Sequence, residues 1–475
     1  MKATKDNSYL GSSKVWKLVL KFSIPCVISL LLASLYNIVD QIFIGNSEFD
    51  FLGTAATGVV FPLLIVTQAF SWWIGDGCAA QLSIEQGKKD TSNAKKSIGT
   101  GIIVIFLISI VLLVVALTAK EPILRLFGAT DLTIDMASSY LTVLAIFFPF
   151  FMLQNMMAPV IRSDGSPIYA LIALGVGVAI NAILNPIFLY VANLGVEGVA
   201  WATVIGQFVS FVLTAIYFFK TKTFKLKMKD FIPNFKAFKT AMILGLNSLI
   251  TQILVVIVSL SRNYLLAYYG NLSIYGPEIP ISAFSVEVMV YQIIMNTVIG
   301  LAAGAQPIIG YNIGSKNYKR VKETYKILLV ATLIISFTFE IINEAYPDVF
   351  ILIFGDGGTS VELYMEYTRK VFRIFMMMFP LTCFMRMSSS FFQAVGKPGH
   401  ALTFSLIREG VLLPVMIIIP LITEASTPGS GITSLLYASP VSDIATIGVY
   451  ITLTVLYFKK LNKLEKQLLE EKECS

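Results

Sequence analysis

Residues 97–118 read SIGTGIIVIFLISIVLLVVALT, with Lys95 and Lys96 immediately before and Lys120 shortly after. No charged side chain interrupts the run. A helix needs roughly 20 predominantly apolar residues to cross the hydrocarbon core of a bilayer, and a surface helix of a soluble protein would carry a polar face. The segment is therefore read as a membrane crossing. Outward from it, runs of the same kind lie at 22–45, 53–76, 136–158, 168–191 and 196–219. Beyond a polar stretch, six more follow at 240–266, 282–305, 325–345, 370–393, 401–422 and 434–458. The predicted fold class is an all-α membrane protein of about twelve transmembrane helices.

Composition agrees with that reading. Of 475 residues, 56% are hydrophobic and 14% charged, where a soluble domain carries about a quarter charged residues. Glycines and prolines are spread through the apolar runs, as is usual where neighbouring helices re-satisfy freed backbone groups. The net charge of +7 raises nucleic acid as a partner, but the basic residues fall in short clusters between apolar runs, the pattern of topology signals. No nucleic-acid partner is expected. Cys26, Cys78, Cys383 and Cys474 show no CxxC spacing, so they read as packing residues and no metal site is expected. The N-terminal lysines resemble the start of a secretory leader. The run behind them continues through Tyr36, Asn37 and Asp40 to Gly45 without a small-residue cleavage site, so it reads as a retained first helix.

Lysine and arginine also set the orientation. On one face lie the N-terminal lysines, Lys88, Lys89, Lys95, Lys96, the cluster Lys220 to Lys239, Lys316, Lys319, Arg320, Lys322, and Lys459 to Lys466. The opposite loops carry mostly acids, among them Asp131, Glu278, Asp348 and Glu424. By the positive-inside rule this predicts a multi-pass inner-membrane protein with both termini cytoplasmic. Arg369, Lys370 and Arg373 are discordant, since they enter the tenth run from its outer end.

The two halves repeat. Gly77, Ser83 and Gly87 at the second run are answered by Gly304, Gly310 and Gly314 at the eighth, at the same spacings. Gly165-Ser166-Pro167 after the fourth is answered by Gly396-Lys397-Pro398 after the tenth. Small residues of this kind also serve close helix contact. With the six-plus-six count they predict two six-helix lobes, 1–219 and 240–458, flanking a V-shaped cleft, with a basic linker at 220–239 and a tail at 459–475. Repeats enclosing a midplane site are the common plan of secondary transporters.

An ionisable side chain inside a crossing costs about 2.5–3.5 kcal/mol on the mildest scale, so each is a functional candidate. Asp40 in the first helix, with Tyr36 one turn before it, is the clearest. Glu287 enters the eighth helix, where it is either substrate-facing or hydrated at the outer interface. Arg262, near the outer end of the seventh, is long enough to snorkel. Arg386 lies in the tenth, and Arg408-Glu409 in the eleventh read as a structural pair. Asn181 and Asn185, four apart in the fifth helix and followed by Pro186, either glue helices together or join Asp40 and Thr203 of the sixth in an oxygen-rich cavity for a proton or hard cation.

Enzymatic readings are thin. One histidine, His400, excludes an HExxH or multi-histidine site, and no Gly-x-Ser-x-Gly elbow or P-loop is present. Neither enzyme activity nor a cofactor is expected. Without a P-loop, the energy for any transport must come from an ion gradient or the membrane potential.

Ala305-Gln306-Pro307-Ile308-Ile309-Gly310-Tyr311-Asn312-Ile313-Gly314 resembles the Gln-Pro-x-x-Gly-Tyr-Asn-x-Gly pattern of multidrug and toxic compound extrusion (MATE) transporters, in particular their MepA-like bacterial branch. Tyr36 to Gly45, Arg162 with Gly165, Asn181 to Pro186 and Gly195 to Ala200 carry the likeness over almost the whole chain. The resemblance implies efflux of small organic compounds, cationic and amphipathic, against inward proton or sodium movement. It implies a cation-coupling site of Asp40, Tyr36, Tyr140, Asn181, Asn185 and Thr203, and a helix bend at Pro25. Asn185 stands where many members have aspartate, which removes one titratable group. The C-lobe acids of another branch are not matched, so Glu287, Arg262 and Gln306 are the residues expected at the substrate cavity. The expected partners are those organic compounds and the bilayer, with the chain a monomer. Two alternatives stay open: a lipid or lipid-linked oligosaccharide flippase, for which Arg262, Arg386 and Arg408 are the argument, and a membrane sensor or scaffold without transport.

Overall fold

The computed structural model describes the backbone of residues 7–45, 50–353 and 361–473; the side chains at 36–39, 41, 42, 45, 50, 51, 352, 353, 361, 472 and 473 lie outside the described residues. The first six long elements are α1 (Val15–Gly45), α2 (Asp50–Gly87), α3 (Ser92–Thr118), α4 (Ile134–Ile146 continued by Phe148–Ser163), α5 (Pro167–Pro186) and α6 (Gly195–Phe218). The next six are α7 (Phe235–Asn271), α8 (Glu278–Gly314), α9 (Tyr318–Ala345), α10 (Glu362–Phe375 continued by Phe379–Ala394), α11 (Pro398–Ser426) and α12 (Ala438–Glu473). Among the described residues ten helices are long and apolar enough to cross a membrane, and the crossings number up to twelve if each of two bent pairs is one span. The all-α class of the sequence reading is what is found, and no strand occurs among the described residues.

The two broken crossings correspond. α4 bends by 58° and α10 by 51°, and each resumes on a Phe-Pro pair, Phe148-Pro149 and Phe379-Pro380. Proline supplies no N–H to the turn before it and its ring crowds the carbonyl one turn back, so a helix kinks there. α1 behaves differently at Pro25, which lies inside one continuous helix. There the Ser29 hydroxyl donates to the Pro25 carbonyl at 2.8 Å.

Two compact units divide the chain. One comprises Met1–Gln252, Ala303–Val321 and Gln393–Pro398; the other comprises Ile253–Ala302, Lys322–Phe392 and Gly399–Ser475. In the first unit an apolar core gathers residues such as Ile98, Tyr140, Phe148, Met156 and Val199. The C-terminal part of α8 belongs there because of its glycines. A Cβ on Gly87 would stand 2.0 Å from the Tyr311 carbonyl oxygen, and one on Gly314 would stand 2.0 Å from that of Ile84. Gly87 and Gly314 are therefore where α2 and α8 touch backbone to backbone. Asn312, from the same motif, donates to the Leu10 carbonyl at 3.1 Å and to that of Ile308 at 2.8 Å.

The loop after α4 ties the inter-helix linker to this unit. Asp164 accepts hydrogen bonds from the Tyr217 hydroxyl (2.7 Å), the Lys222 and Thr223 amides (2.6 and 2.8 Å) and the Thr223 hydroxyl. Burial pushes its carboxyl above the ordinary aspartate range, and these donors pull it back. Gly165 follows at φ +84°, where a Cβ would also meet the Asn7 side chain at 2.8 Å. That turn is closed to larger residues.

In the second unit, Leu266, Phe284, Tyr367, Leu412 and Leu436 are part of the core. The three discordant basic residues at α10 find local partners. Arg369 grips Asp348 at 2.6 and 2.8 Å, Lys370 donates to Glu366 at 2.6 Å and Tyr275 at 2.9 Å, and Arg373 reaches the Glu344 carbonyl at 3.4 Å. Arg369 and Lys370 are thus paired with acids of the same unit, and Arg373 with a backbone carbonyl. Cys26, Cys78 and Cys383 are buried free thiols; Cys474 lies outside the described residues.

Candidate functional site

Four helices of the first unit converge on Asp40, which is 5% exposed. Asn181 and Asn185 share one face of α5 because residues four apart stack along a helix. Asn185 Nδ2 donates to Asp40 Oδ1 at 2.6 Å, and Asn181 Nδ2 donates to the same oxygen at 3.1 Å. The Thr203 hydroxyl of α6 donates to Oδ2 at 3.0 Å. Asn181 also bonds Thr203 at 3.2 Å, and Asn185 donates to Asn181 Oδ1 at 3.3 Å. Tyr140 of α4 is buried within electrostatic range of the carboxylate, with no hydrogen bond joining them. Tyr36 is in α1, but its side chain lies outside the described residues.

The donor set is neutral throughout. Three N–H and O–H groups solvate the carboxylate in place of water, and among the described residues no arginine or lysine pairs with it. Among the described residues the carboxylate is therefore held by hydrogen bonds alone. Asn185 Oδ1 is buried without a partner, one more oxygen beside the carboxylate. Past Asn185 the helix ends at Pro186 and loosens into a π-helical turn, Ile187–Val191. Wide turns of this kind recur at functional sites.

A family model described as MatE matches residues 25–187 and 247–418, one segment in each half. The chain belongs to the MatE family. Among curated relatives, the multidrug export protein MepA of Staphylococcus aureus (strain MRSA252) is 25% identical over 417 residues, 86% of this chain and 88% of that protein. The solved structure of the MATE multidrug transporter DinF-BH is 26% identical with a TM-score of 0.84, covering 95% of this chain and 98% of that one. A MOP-superfamily transporter from Pyrococcus furiosus aligns with a TM-score of 0.87 at 19% identity, covering 97% of this chain and all of that one, which speaks to the fold alone.

In this MatE-family chain the second unit carries its own buried charges. Glu287 on α8 is 1% exposed, and neither carboxylate oxygen has a hydrogen-bond partner. The alternative of a hydrated position near the outer interface is set aside, because α8 begins two turns earlier, at Glu278, and neighbouring side chains cover the carboxylate. Arg262 on α7 does not snorkel either. Its Nε is buried without a partner, and the guanidinium lies 5.3 Å from the Phe284 ring centroid, within electrostatic range of Glu287. Gln306 belongs to the first unit, where it donates to the Asp76 carbonyl at 3.3 Å.

Arg408 behaves as the expected structural pair and more. It donates to Glu409 Oε1 and to Asp443 Oδ1, both at 2.9 Å, and Thr382 closes the remaining Asp443 oxygen at 2.6 Å. The sequence reading passes over Asp443, Asp76 and Glu340, although each is an acid inside an apolar run. Asp76 accepts from the Ser248 hydroxyl at 2.7 Å, which in turn accepts from Gln393 at 3.1 Å. The signal that would have found them is the one used for Asp40: a lone charge within a crossing.

Proposed function

We propose that this protein is a secondary active exporter that expels amphipathic organic cations in exchange for protons or sodium ions bound at Asp40. The single observation that carries this reading is the Asp40 cage, a buried carboxylate solvated by Asn181, Asn185 and Thr203 with no positive partner among the described residues. A proton needs only a free lone pair there, and Asp40 Oδ2 accepts one bond from Thr203 and retains that capacity. A sodium ion needs several oxygens, which turning either amide over would present. Membership of the MatE family and the likeness to a multidrug export protein support export of drug-like compounds. The distribution of lysine supports cytoplasmic termini in the cell membrane.

Glu287 is the acid we assign to substrate cations. Its oxygens lack donors, and Arg262 is near without forming an ion pair, so a cationic ligand would supply the missing partner. The experiment is export of a fluorescent cation from vesicles energised in turn by an imposed proton gradient and an imposed sodium gradient. Export with one of the two gradients, and none without either, is the expected result. Export that persists after both gradients collapse would reject ion-coupled transport.

A further inference from the structure

In the second unit a small cavity is walled by Thr382, Arg386, Ser389, Ser405, Arg408 and Glu409. The charges around it are unequally engaged. Arg408 holds both acids, Glu409 and Asp443, and Thr382 occupies the other Asp443 oxygen. Arg386 is different. Its backbone carbonyl accepts from the Ser390 hydroxyl, but among the described residues no acceptor lies within hydrogen-bond distance of its guanidinium and no carboxylate within 4 Å. It is part-buried, on the far segment of the bent helix α10.

A guanidinium stays charged under all ordinary conditions and offers five N–H donors in a planar fork. Keeping one inside a membrane crossing without an acid is costly. The fork matches two oxygens of a carboxylate or phosphate, and such charge-assisted pairs are the strong ones. Both nearby acids are already engaged: Arg408 bonds Glu409 and Asp443, Thr382 takes the second Asp443 oxygen, and neither acid lies within 4 Å of the Arg386 guanidinium. Hydroxyls of Ser389 and Ser405, which share a hydrogen bond at 3.5 Å, line the same wall.

We propose that Arg386 forms an anion-accepting subsite that binds the carboxylate or phosphate group of an exported amphipathic molecule. The inference rests on the export reading above and narrows its substrate class to include zwitterions, whose positive end is left to other parts of the protein. It concerns a residue that the Asp40 coupling site does not use.

The test compares two fluorescent rhodamine cations, one with a free carboxylate and one with that group as its ethyl ester. Binding to the purified full-length protein in detergent is read by fluorescence anisotropy. Wild type should bind the free acid roughly tenfold more tightly than the ester, the worth of one good charge-assisted contact. Arg386→Gln should bring the acid to the ester's affinity and leave the ester unchanged, and Arg386→Lys should keep part of the preference. Equal binding of acid and ester by wild type, or a preference that survives Arg386→Gln, would overturn the subsite. Loss of the wild-type preference when phosphatidylglycerol is added to the micelles would also overturn it, because a lipid headgroup would then occupy the guanidinium. Vesicle export of the ester separates the two claims. Ester that is exported without any acid preference sinks the subsite alone, whereas ester neither bound nor exported sinks the export reading and the subsite with it.

Discussion

Asp40 and Glu287 are both carboxylates inside membrane-spanning helices, 5% and 1% exposed, yet their surroundings are opposite. Asp40 receives three hydrogen bonds from neutral amides and a hydroxyl and has no cationic neighbour among the described residues. Glu287 receives none, and an arginine sits within electrostatic range. A solvated carboxylate is stable empty, can take up and release a proton without rebuilding its cage, and can take a sodium ion by turning an amide over. An unsolvated one is at rest only when something supplies the missing partner. In the function proposed above, the exchangeable coupling ion goes to the first unit and the substrate's positive end to the second.

The largest expected effect comes from removing the charge at Asp40. Asp40→Asn should reduce gradient-driven export to background while substrate binding to the purified protein persists, because the amide fits the cage but takes no cation. Export at the wild-type rate would move the coupling site elsewhere. Next in size is Glu287→Gln. A cation that fills an unpaired buried carboxylate gains a charge-assisted bond worth about 1.5–3 kcal/mol, so affinity for cations should fall roughly tenfold or more while that for neutral compounds holds. Equal losses for both would erase the contrast with Asp40.

Two smaller effects ask how far each unit depends on charge outside the sites. Asp164→Asn replaces an acceptor of four hydrogen bonds with a group that turns N–H toward N–H. Each donor left without a partner costs about 1–3 kcal/mol, so a clear fall in the melting temperature of the purified protein is expected. An unchanged melting temperature would show that the linker is held by other contacts. In the second unit Arg369→Ala should cost under about 1 kcal/mol, since the Arg369–Asp348 pair is solvent-exposed and screened. Hydrogen bonds from Arg369 hold the Asp348 carboxyl below the ordinary range. The contribution is therefore present above the ordinary aspartate pKa and lost as pH falls through the lowered one. Thermal unfolding of Arg369→Ala and wild type should accordingly converge only in acid.

Much of this was readable in the chain, for physical reasons that can be named. Uncharged runs such as 97–118 have one stable form in lipid, so the helices followed from length and hydropathy. Asn181 and Asn185 sit four apart and therefore share a face, and the structure turns that face to Asp40. The Gly87 and Gly314 pattern was visible as a repeat, but that the two glycines meet each other depends on tertiary contact. The bends at Phe148-Pro149 and Phe379-Pro380 escaped because proline in a membrane helix often leaves it intact, as Pro25 does in α1. Arg386 and Arg408 are both arginines inside apolar runs. Glu409 beside Arg408 is visible in the sequence, but Asp443, contributed by α12, joins it only in the fold, and Arg386 has neither.

The central claim is that the Asp40 cage gives up a cation when substrate binds, and it is tested most directly by recording that release. Purified protein in weakly buffered detergent solution, loaded with a saturating organic cation, should release protons or sodium ions in proportion to the substrate bound, read by a pH indicator or a sodium electrode. Wild type should show this release, Glu287→Gln should show it once substrate is raised to saturation, and Asp40→Asn should show none. Release of the same size from Asp40→Asn would contradict the account.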